Sequence, residues 1–423
     1  MNEAFLHYIW QFQQYRQTDL VTHDQQVLQI ISPGKPHQHA GADFQNARIR
    51  LNNLEWAGAV EVHIRSSDWF RHHHEQDSAY ENVILHVVWT DDERILRKDG
   101  TELPTLSLQS RTDSAWLERY TLLLENQEEL ACGEAFGKVS ELTRHSMLDR
   151  ALIQRLEHKA EKVGLILAAS QWDWEETTWQ LLSRAMGSPI NSEPMEWLAR
   201  LVPFRTLRKH RNHIFQLEAL LLGAAGLIPE QPQDSYGIAL LKEANYLLNK
   251  YQITPLPRAS WKFLRLRPAS FPTVRIAQLA QVLHRHNHLF STMIEPTDLN
   301  TLRSNLTVSL SDYWQNHYTF GKITKTGVTQ LGQETIDRLI INTIVPLLAY
   351  YAQYKGDSEH TDRAIWLLEQ LPAEQNHIIT TWKKYGLRSQ NAADSQGLLE
   401  WKQRYCEPRK CLSCSVGISI LRN

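Results

Sequence analysis

The sequence predicts an α+β chain in two parts, a mixed α/β domain over residues 1–135 and a large all-helical domain over residues 136–423. In the first hundred residues apolar side chains alternate with polar ones along short segments, which is strand periodicity; from about Ser110 they recur at helical spacing instead. The 423 residues, 42% hydrophobic and 22% charged, have the balance of folded domains, with chain enough for cores that need no disulfide or metal support. Lys plus Arg number 45 against 47 Asp plus Glu, so a uniformly basic coat protein is excluded while a local basic face is not. The most apolar stretch, residues 219–228, is about half a bilayer span. Met1-Asn2-Glu3 opens no basic-then-apolar leader, so a cytoplasmic protein without membrane attachment is expected.

Residues 3–16 set Phe5, Ile9 and Phe12 on one face, widened by Leu6 and Trp10, so the chain opens with a one-sided helix. Residues 26–31 alternate and stop at Ser32-Pro33-Gly34, a strand ended by a turn. Residues 47–51 and 56–65 are strands joined at Asn52-Asn53. Residues 69–80 are polar, histidine-rich and expected to be helical, and residues 83–89 form a nearly continuous apolar run, interrupted by His86, as expected for a strand covered on both faces. A further hairpin is expected around Asp99-Gly100, within residues 95–108. Helical spacing then fills residues 115–125, 147–169, 177–186, 215–227, 238–251, 276–284, 334–351 and 361–370, with Pro and Gly between them at no fixed repeat.

Along residues 56–65, Ala59, Glu61, His63 and Arg65 share one face and Val60, Val62 and Ile64 the other. A carboxylate and an imidazole on a flanked strand are costly to bury without a partner or cation. Asp43, at the entrance to the preceding strand, is expected to converge on them, because a hairpin sets the start of one strand opposite the end of the next. Two acids and a base in one cleft suit a divalent metal.

The order helix, three strands, helix, strand, with Asp43 and Glu61-Val62-His63, resembles the restriction-endonuclease-like PD-(D/E)XK superfamily over residues 1 to about 90. That resemblance implies a nuclease-like αβββαβ domain in which Asp43 and Glu61 hold Mg²⁺ or Mn²⁺, and Val62 offers its carbonyl. His63, where the motif has Lys, would orient or activate water, with Glu3 as the acid often found on the first helix. His63 is only partly protonated near neutral pH, so it is a weaker cation than that Lys. The resemblance makes Asp43, Glu61 and His63 the expected catalytic residues of a phosphodiester hydrolase acting on nucleic acid. The alternatives are a catalytically inactive nucleic-acid-binding or scaffold protein of the same fold, and a histidine-rich metalloenzyme acting on a small molecule. In the last, His74 and Asp77 complete a site with His63 and His86; the plainer reading is a polar helix surface and a core histidine. The chain as a whole also resembles an uncharacterised bacterial family, domain of unknown function 2851, through residues 41–47, 58–63 and 83–88, which implies no activity.

Cys406, Cys411 and Cys414 follow C-x4-C-x2-C, a ligand-like spacing that Cys132 would complete to four for Zn²⁺ or an Fe-S cluster; otherwise they are small buried apolar residues. No acid occurs between Glu243 and Glu295, where Arg258, Lys262, Arg265, Arg267 and Arg275 fall, nor beside Arg205, Arg208, Lys209 and Arg211. These cations are expected to contact nucleic acid, with Trp261, Phe263 and Phe271 stacking on bases; the alternative assigns them to ion pairs and core.

Overall fold

The alternating segments of the first hundred residues pair into one curled, mixed sheet in the computed structural model, which describes residues 1–37, 40–324, 327 and 330–422. Its strands are β1 (Leu28–Ser32), β2 (Lys35–Pro36), β3 (Phe44–Leu51), β4 (Leu54–Arg65), β5 (Val83–Thr90) and β6 (Thr105–Ser107). The order is β1-β3-β4-β5-β6, with β2 beside β3. β3 and β4 are antiparallel about the Asn52 turn, where φ is 50°, whereas β5 runs parallel to β4 and β6 parallel to β5. β5, parallel to both of its neighbours, is the strand whose sequence is nearly continuously apolar, and Val83 to Val88, His86 among them, are all buried. Helix α1 (Glu3–Gln11), capped by Asn2 accepting from the Phe5 amide at 3.1 Å, packs Phe5, Leu6 and Ile9 with Val60, Val62, Leu85 and Val87 in one core. A second, smaller core gathers Ala59, Trp69, Val83, Ile95 and Leu103. Where β4 meets β5 no side chain fits at Gly58, since a Cβ there would lie 2.4 Å from the Asn82 carbonyl oxygen.

Two expectations hold only in part in this region, for local reasons. Residues 69–80 are not one helix: a single α turn, Asp68–Arg71, gives way to 3₁₀ turns at His74–Gln76 and Ser78–Tyr80, because His73 takes a left-handed φ of 61° that ends helical hydrogen bonding. The Asp99-Gly100 hairpin forms over a shorter span than residues 95–108: Gly100 has φ +82°, Leu96 pairs antiparallel with Glu102, and the Arg97 amide donates to the Thr101 carbonyl and the Leu103 amide to the Ile95 carbonyl, both at 2.8 Å, before the chain leaves to lie parallel to β5.

The chain divides into two units, Met1–Met147 with Trp401–Asn423, and Leu148–Glu400. The division therefore falls inside the helix Glu141–Ala169 instead of near residue 135, and the last segment returns to the first unit. There Leu421 is fully buried, and Ile418 and Ile420 pack against the core that holds Phe5 and Tyr120. The second unit is built around the helix Ile214–Ala224, apolar nearly all round, with Leu217 and Ala219 to Leu222 fully buried. It is not all-helical, since His317–Thr319 and Lys322–Ile323 pair as short strands. Among the described residues no helix is long and apolar enough to cross a membrane.

Candidate metal centre

The antiparallel register sets Phe44 opposite Val60, which brings Asp43 beside Glu61. The two acids then clasp each other's backbone: the Asp43 amide donates to Glu61 Oε2 at 3.1 Å, and the Val62 amide donates to Asp43 Oδ2 at 3.0 Å. Glu61 and His63 are 4% and 2% exposed, on the face expected from alternation. The parallel pairing adds His86, registered against Glu61 and fully buried.

The broken turn after β4 supplies two more imidazoles. On a continuous helix His72 and His74 would point roughly 200° apart. With His73 left-handed, both reach His63. His72 Nδ1 lies 3.1 Å from His63 Nε2, and His74 stacks on the His63 ring at 5.2 Å. Glu61 Oε1 sits 3.2 Å from His74 Nε2 and 3.4 Å from His63 Nε2. On its other side His63 Nδ1 meets His86 Nε2 at 2.9 Å, while His86 Nδ1 has no partner among the described residues. Tyr80 covers His74, with ring centroids 3.7 Å apart, and Trp69 abuts both His74 and His86. Asp77 does not join; it is exposed and caps the Ala79 amide at 2.9 Å. From the first helix His7, one turn after Glu3, places Nε2 3.3 Å from Asp43 Oδ2, and the Glu3 charge acts on that imidazole.

Burial dominates the electrostatics. It pushes the Glu61 carboxyl up, helped by the Asp43 charge and opposed by His74. It pulls His63 down to about 4, with the charges of His74 and His72 adding to the effect, and holds His86 far below the ordinary imidazole range, aided by His63 and His74. Tyr80 is pushed up to about 12 by burial and then by Glu61, Asp43 and Asp77. His7 goes the other way: burial opposes its charge, but contact with Asp43, backed by Glu3 and Glu61, outweighs it and raises the pKa.

His63, His72 and His74 offer ligand nitrogens all within 4.8 Å of one another, with the Glu61 carboxylate beside two of them. Three nitrogens and an oxygen fit a transition-metal ion better than the all-oxygen shell that Mg²⁺ favours. His86 stands where an outer partner orients a ligating imidazole. A family model described as a protein of unknown function, DUF2851, matches residues 3–377. The chain belongs to the DUF2851 family. No curated protein and no solved structure matches it. The DUF2851 match takes in His7, Asp43, Glu61, the histidine cluster and Cys132, and stops short of Cys406, Cys411 and Cys414.

In this DUF2851 protein all four cysteines are free thiols of the first unit. Lys402 Nζ donates to the Glu129 carbonyl and Arg409 to the Asn126 carbonyl, which ties the returning segment to the loop that carries Cys132. Burial pushes the Cys132 thiol up to about 12 and Cys411 to about 11, and takes Cys406 well above its ordinary value. Charge on other sulfurs of the four adds to each shift, but among the described residues no three of these cysteines bring their sulfurs within 4.8 Å of one another.

The cations separate into two kinds. Arg205, Arg208, Lys209, Arg258, Lys262, Arg265 and Arg267 are exposed and Arg211 half-buried; among the described residues no carboxylate is within ion-pair distance of Arg258, Lys262, Arg265 or Arg267. Arg275 is a correction: it is 6% exposed, its guanidinium donating to Gln278 Oε1 at 3.0 Å and to Ser270 and Thr335 hydroxyls at 3.2 Å, so it is a core residue. Trp261 is likewise core, its Nε1 donating to the Ala225 carbonyl at 2.7 Å, and Phe263 and Phe271 pack against the same cluster.

Sequence reasoning missed His7 and gave His72 no role. The signal for His7 was its position one helical turn after Glu3, the acid expected there.

Proposed function

We propose that this DUF2851 protein is a metal-dependent hydrolase of phosphodiester bonds in nucleic acid. The observation that carries the reading is the convergence of Asp43, Glu61 and three imidazoles at one end of a parallel strand pair. His63, His72, His74 and Glu61 hold a divalent ion, Mn²⁺ or Zn²⁺ in preference to Mg²⁺. Such an ion lowers the pKa of bound water and polarises a phosphoryl oxygen. Asp43 is bonded to the Glu61 region through the paired backbone bonds and favours the protonated form of His7. In the restriction-endonuclease-like reading, His7 supplies the positive charge that the neutral His63 cannot. The exposed cations Arg258, Lys262, Arg265 and Arg267, with Arg205, Arg208 and Lys209, hold the polyanion. The four cysteines bind a second metal group, Zn²⁺ or an iron–sulfur cluster, that staples the returning segment. The test is cleavage of single- and double-stranded DNA and RNA with Mg²⁺, Mn²⁺ or Zn²⁺, lost in Glu61→Gln; no cleavage with any pairing refutes it.

One observation favours a second reading. A pocket of about 330 Å³ borders His74, Trp69 and Tyr80, and its rim carries Glu75, Asp77, Glu81 and Asp99 against Arg97 and Lys98. That sign suits a neutral or cationic small substrate better than a phosphate backbone. Hydrolysis of small esters or amides by metal-loaded protein that leaves nucleic acid intact selects it.

A further inference from the structure

The second unit holds a site of its own. A cavity of about 610 Å³ lies within residues 148–400, in the range typical of small-molecule sites. Six cations line it, Arg155, Lys159, Lys162, Arg184, Arg200 and Arg338, against the carboxylates Glu196 and Glu374. Glu196 is already bridged by both Arg184 and Arg200, and Arg155 rests on Glu400 at 3.2 Å. Lys159, Lys162 and Arg338 have no carboxylate within ion-pair distance among the described residues. Lys159 Nζ donates only to neutral oxygens: Gln396 Oε1 at 2.6 Å, Asn342 Oδ1 at 3.2 Å and the Ile341 carbonyl at 3.4 Å. Its hydrogen bonds are made, but its charge has no counter-ion in contact. Burial, then Arg155 and Lys162 on its own helix, pull its pKa down to about 7 against the pull of Glu374 and Glu400 from other segments. Arg338 is half-buried, with Nε unpartnered and one other nitrogen 3.4 Å from the Thr335 hydroxyl.

The backbone is irregular on two sides of this cavity. The π turn Ile340–Ile344 shifts the helix register where Asn342 and the Ile341 carbonyl meet Lys159, and such turns cluster at functional sites. Opposite it, the helix Ser188–Leu201 departs from helical geometry at Asn191, and Ser188 has a φ of 54°. A third wall is apolar, made of Leu165, Ile166, Leu181, Ala185, Pro346 and Leu399. Three uncompensated cations call for more than one negative charge, and a guanidinium fork matches phosphate oxygens.

We propose that this cavity binds a phosphorylated small molecule of the size and charge of a nucleoside di- or triphosphate, with its phosphates on Lys159, Lys162 and Arg338 and its body on the apolar wall. The cavity belongs to the second unit and the metal centre to the first, and binding here is independent of the hydrolase reading. The experiment is titration calorimetry on the full chain, with divalent metal chelated, using ATP, ADP, pyrophosphate and adenosine. ATP and ADP should saturate with Kd below about 1 mM and adenosine should bind at least tenfold more weakly; Arg338→Gln and Lys162→Gln should each cost about tenfold. On the unaltered protein, ADP binding at pH 8 should take up protons, read from the heats in buffers of different ionisation enthalpy, because the anion restores the Lys159 ammonium. Failure of ATP and ADP to saturate, equal affinity for adenosine and ADP, or affinity unmoved by both substitutions overturns the proposal.

Discussion

Acid should weaken the first unit through His63, and the size of the effect follows from its surroundings. The folded protein holds this imidazole at a pKa of about 4 against an ordinary 6.5. At pH 7 the folded state carries it neutral and the unfolded state largely so, and its contribution to pH dependence is small. As pH falls below 6.5 the unfolded chain takes a proton that the folded chain refuses, so stability drops by up to about 1.4 kcal/mol per pH unit and levels off near pH 4, a total of about 3 kcal/mol. Two neighbours act in the opposite sense. The raised Glu61 pKa makes the folded state bind its proton first, so stability from that group grows on acidification, and the raised His7 pKa contributes stability that is fully present below pH 6.5 and is lost as pH rises through the folded value. His63→Gln isolates the first effect, because the amide keeps partners for His86 and His72 but cannot titrate. Urea midpoints of the two chelator-treated proteins at pH 7, 6, 5 and 4, followed by hydrogen exchange of the β4 and β5 amides, which belong to the first unit, give the difference directly. Parallel stability curves for the two proteins would refute the burial argument for His63.

Glu61→Gln and His74→Ala should each weaken Mn²⁺ or Zn²⁺ binding by at least the ten- to hundredfold that loss of an outer partner costs, measured by competition with a chromogenic chelator. Cys132→Ser should release whatever metal the cysteines hold, read as metal per chain and visible absorption after anaerobic purification; an unchanged metal content removes Cys132 from that group. Arg275→Gln should cost roughly 1–3 kcal/mol of stability and leave the salt dependence of nucleic-acid binding alone. Arg265→Gln with Arg267→Gln should flatten that slope by about two contacts at unchanged stability. Gly58→Ala should force β4 and β5 apart, since its Cβ has the Asn82 oxygen 2.4 Å away, and lower the urea midpoint sharply.

The alternation of residues 56–65 made the inward face of β4 legible, because strand geometry is local and each side chain's face follows from counting. Asp43 was legible for the same reason, through the Asn52 turn and the antiparallel register it imposes. The histidine cluster was only half legible: helical counting separates His72 from His74, and only the left-handed backbone at His73 unites them. Left-handed geometry at a histidine leaves no pattern in the sequence. His7 was hidden because its partner is chosen by the packing of α1 across the sheet, a contact between distant residues. The uneven charge of residues 244–294 was visible, but composition cannot separate the exposed Arg265 from the buried Arg275, which interrupts no apolar stripe strongly enough to betray its burial. The cavity around Lys159 was invisible for a similar reason, being assembled from five segments spread over about 240 residues.

The return of the segment after Trp401 to the first unit sets an order in time. About 270 residues separate Cys132 from Cys406, and at a synthesis rate of about 5–20 residues per second they take roughly 15–55 s to make. Throughout that interval the sheet and its acid–histidine centre are already translated, but the sheet's core lacks Leu421, Ile418 and Ile420, and Cys132 lacks the three cysteines of the returning segment. A nascent chain stalled inside the second unit therefore exposes an apolar face and a lone thiol together. A ribosome-bound intermediate of this protein should accordingly bind chaperones that recognise exposed apolar surface more readily than the finished chain does.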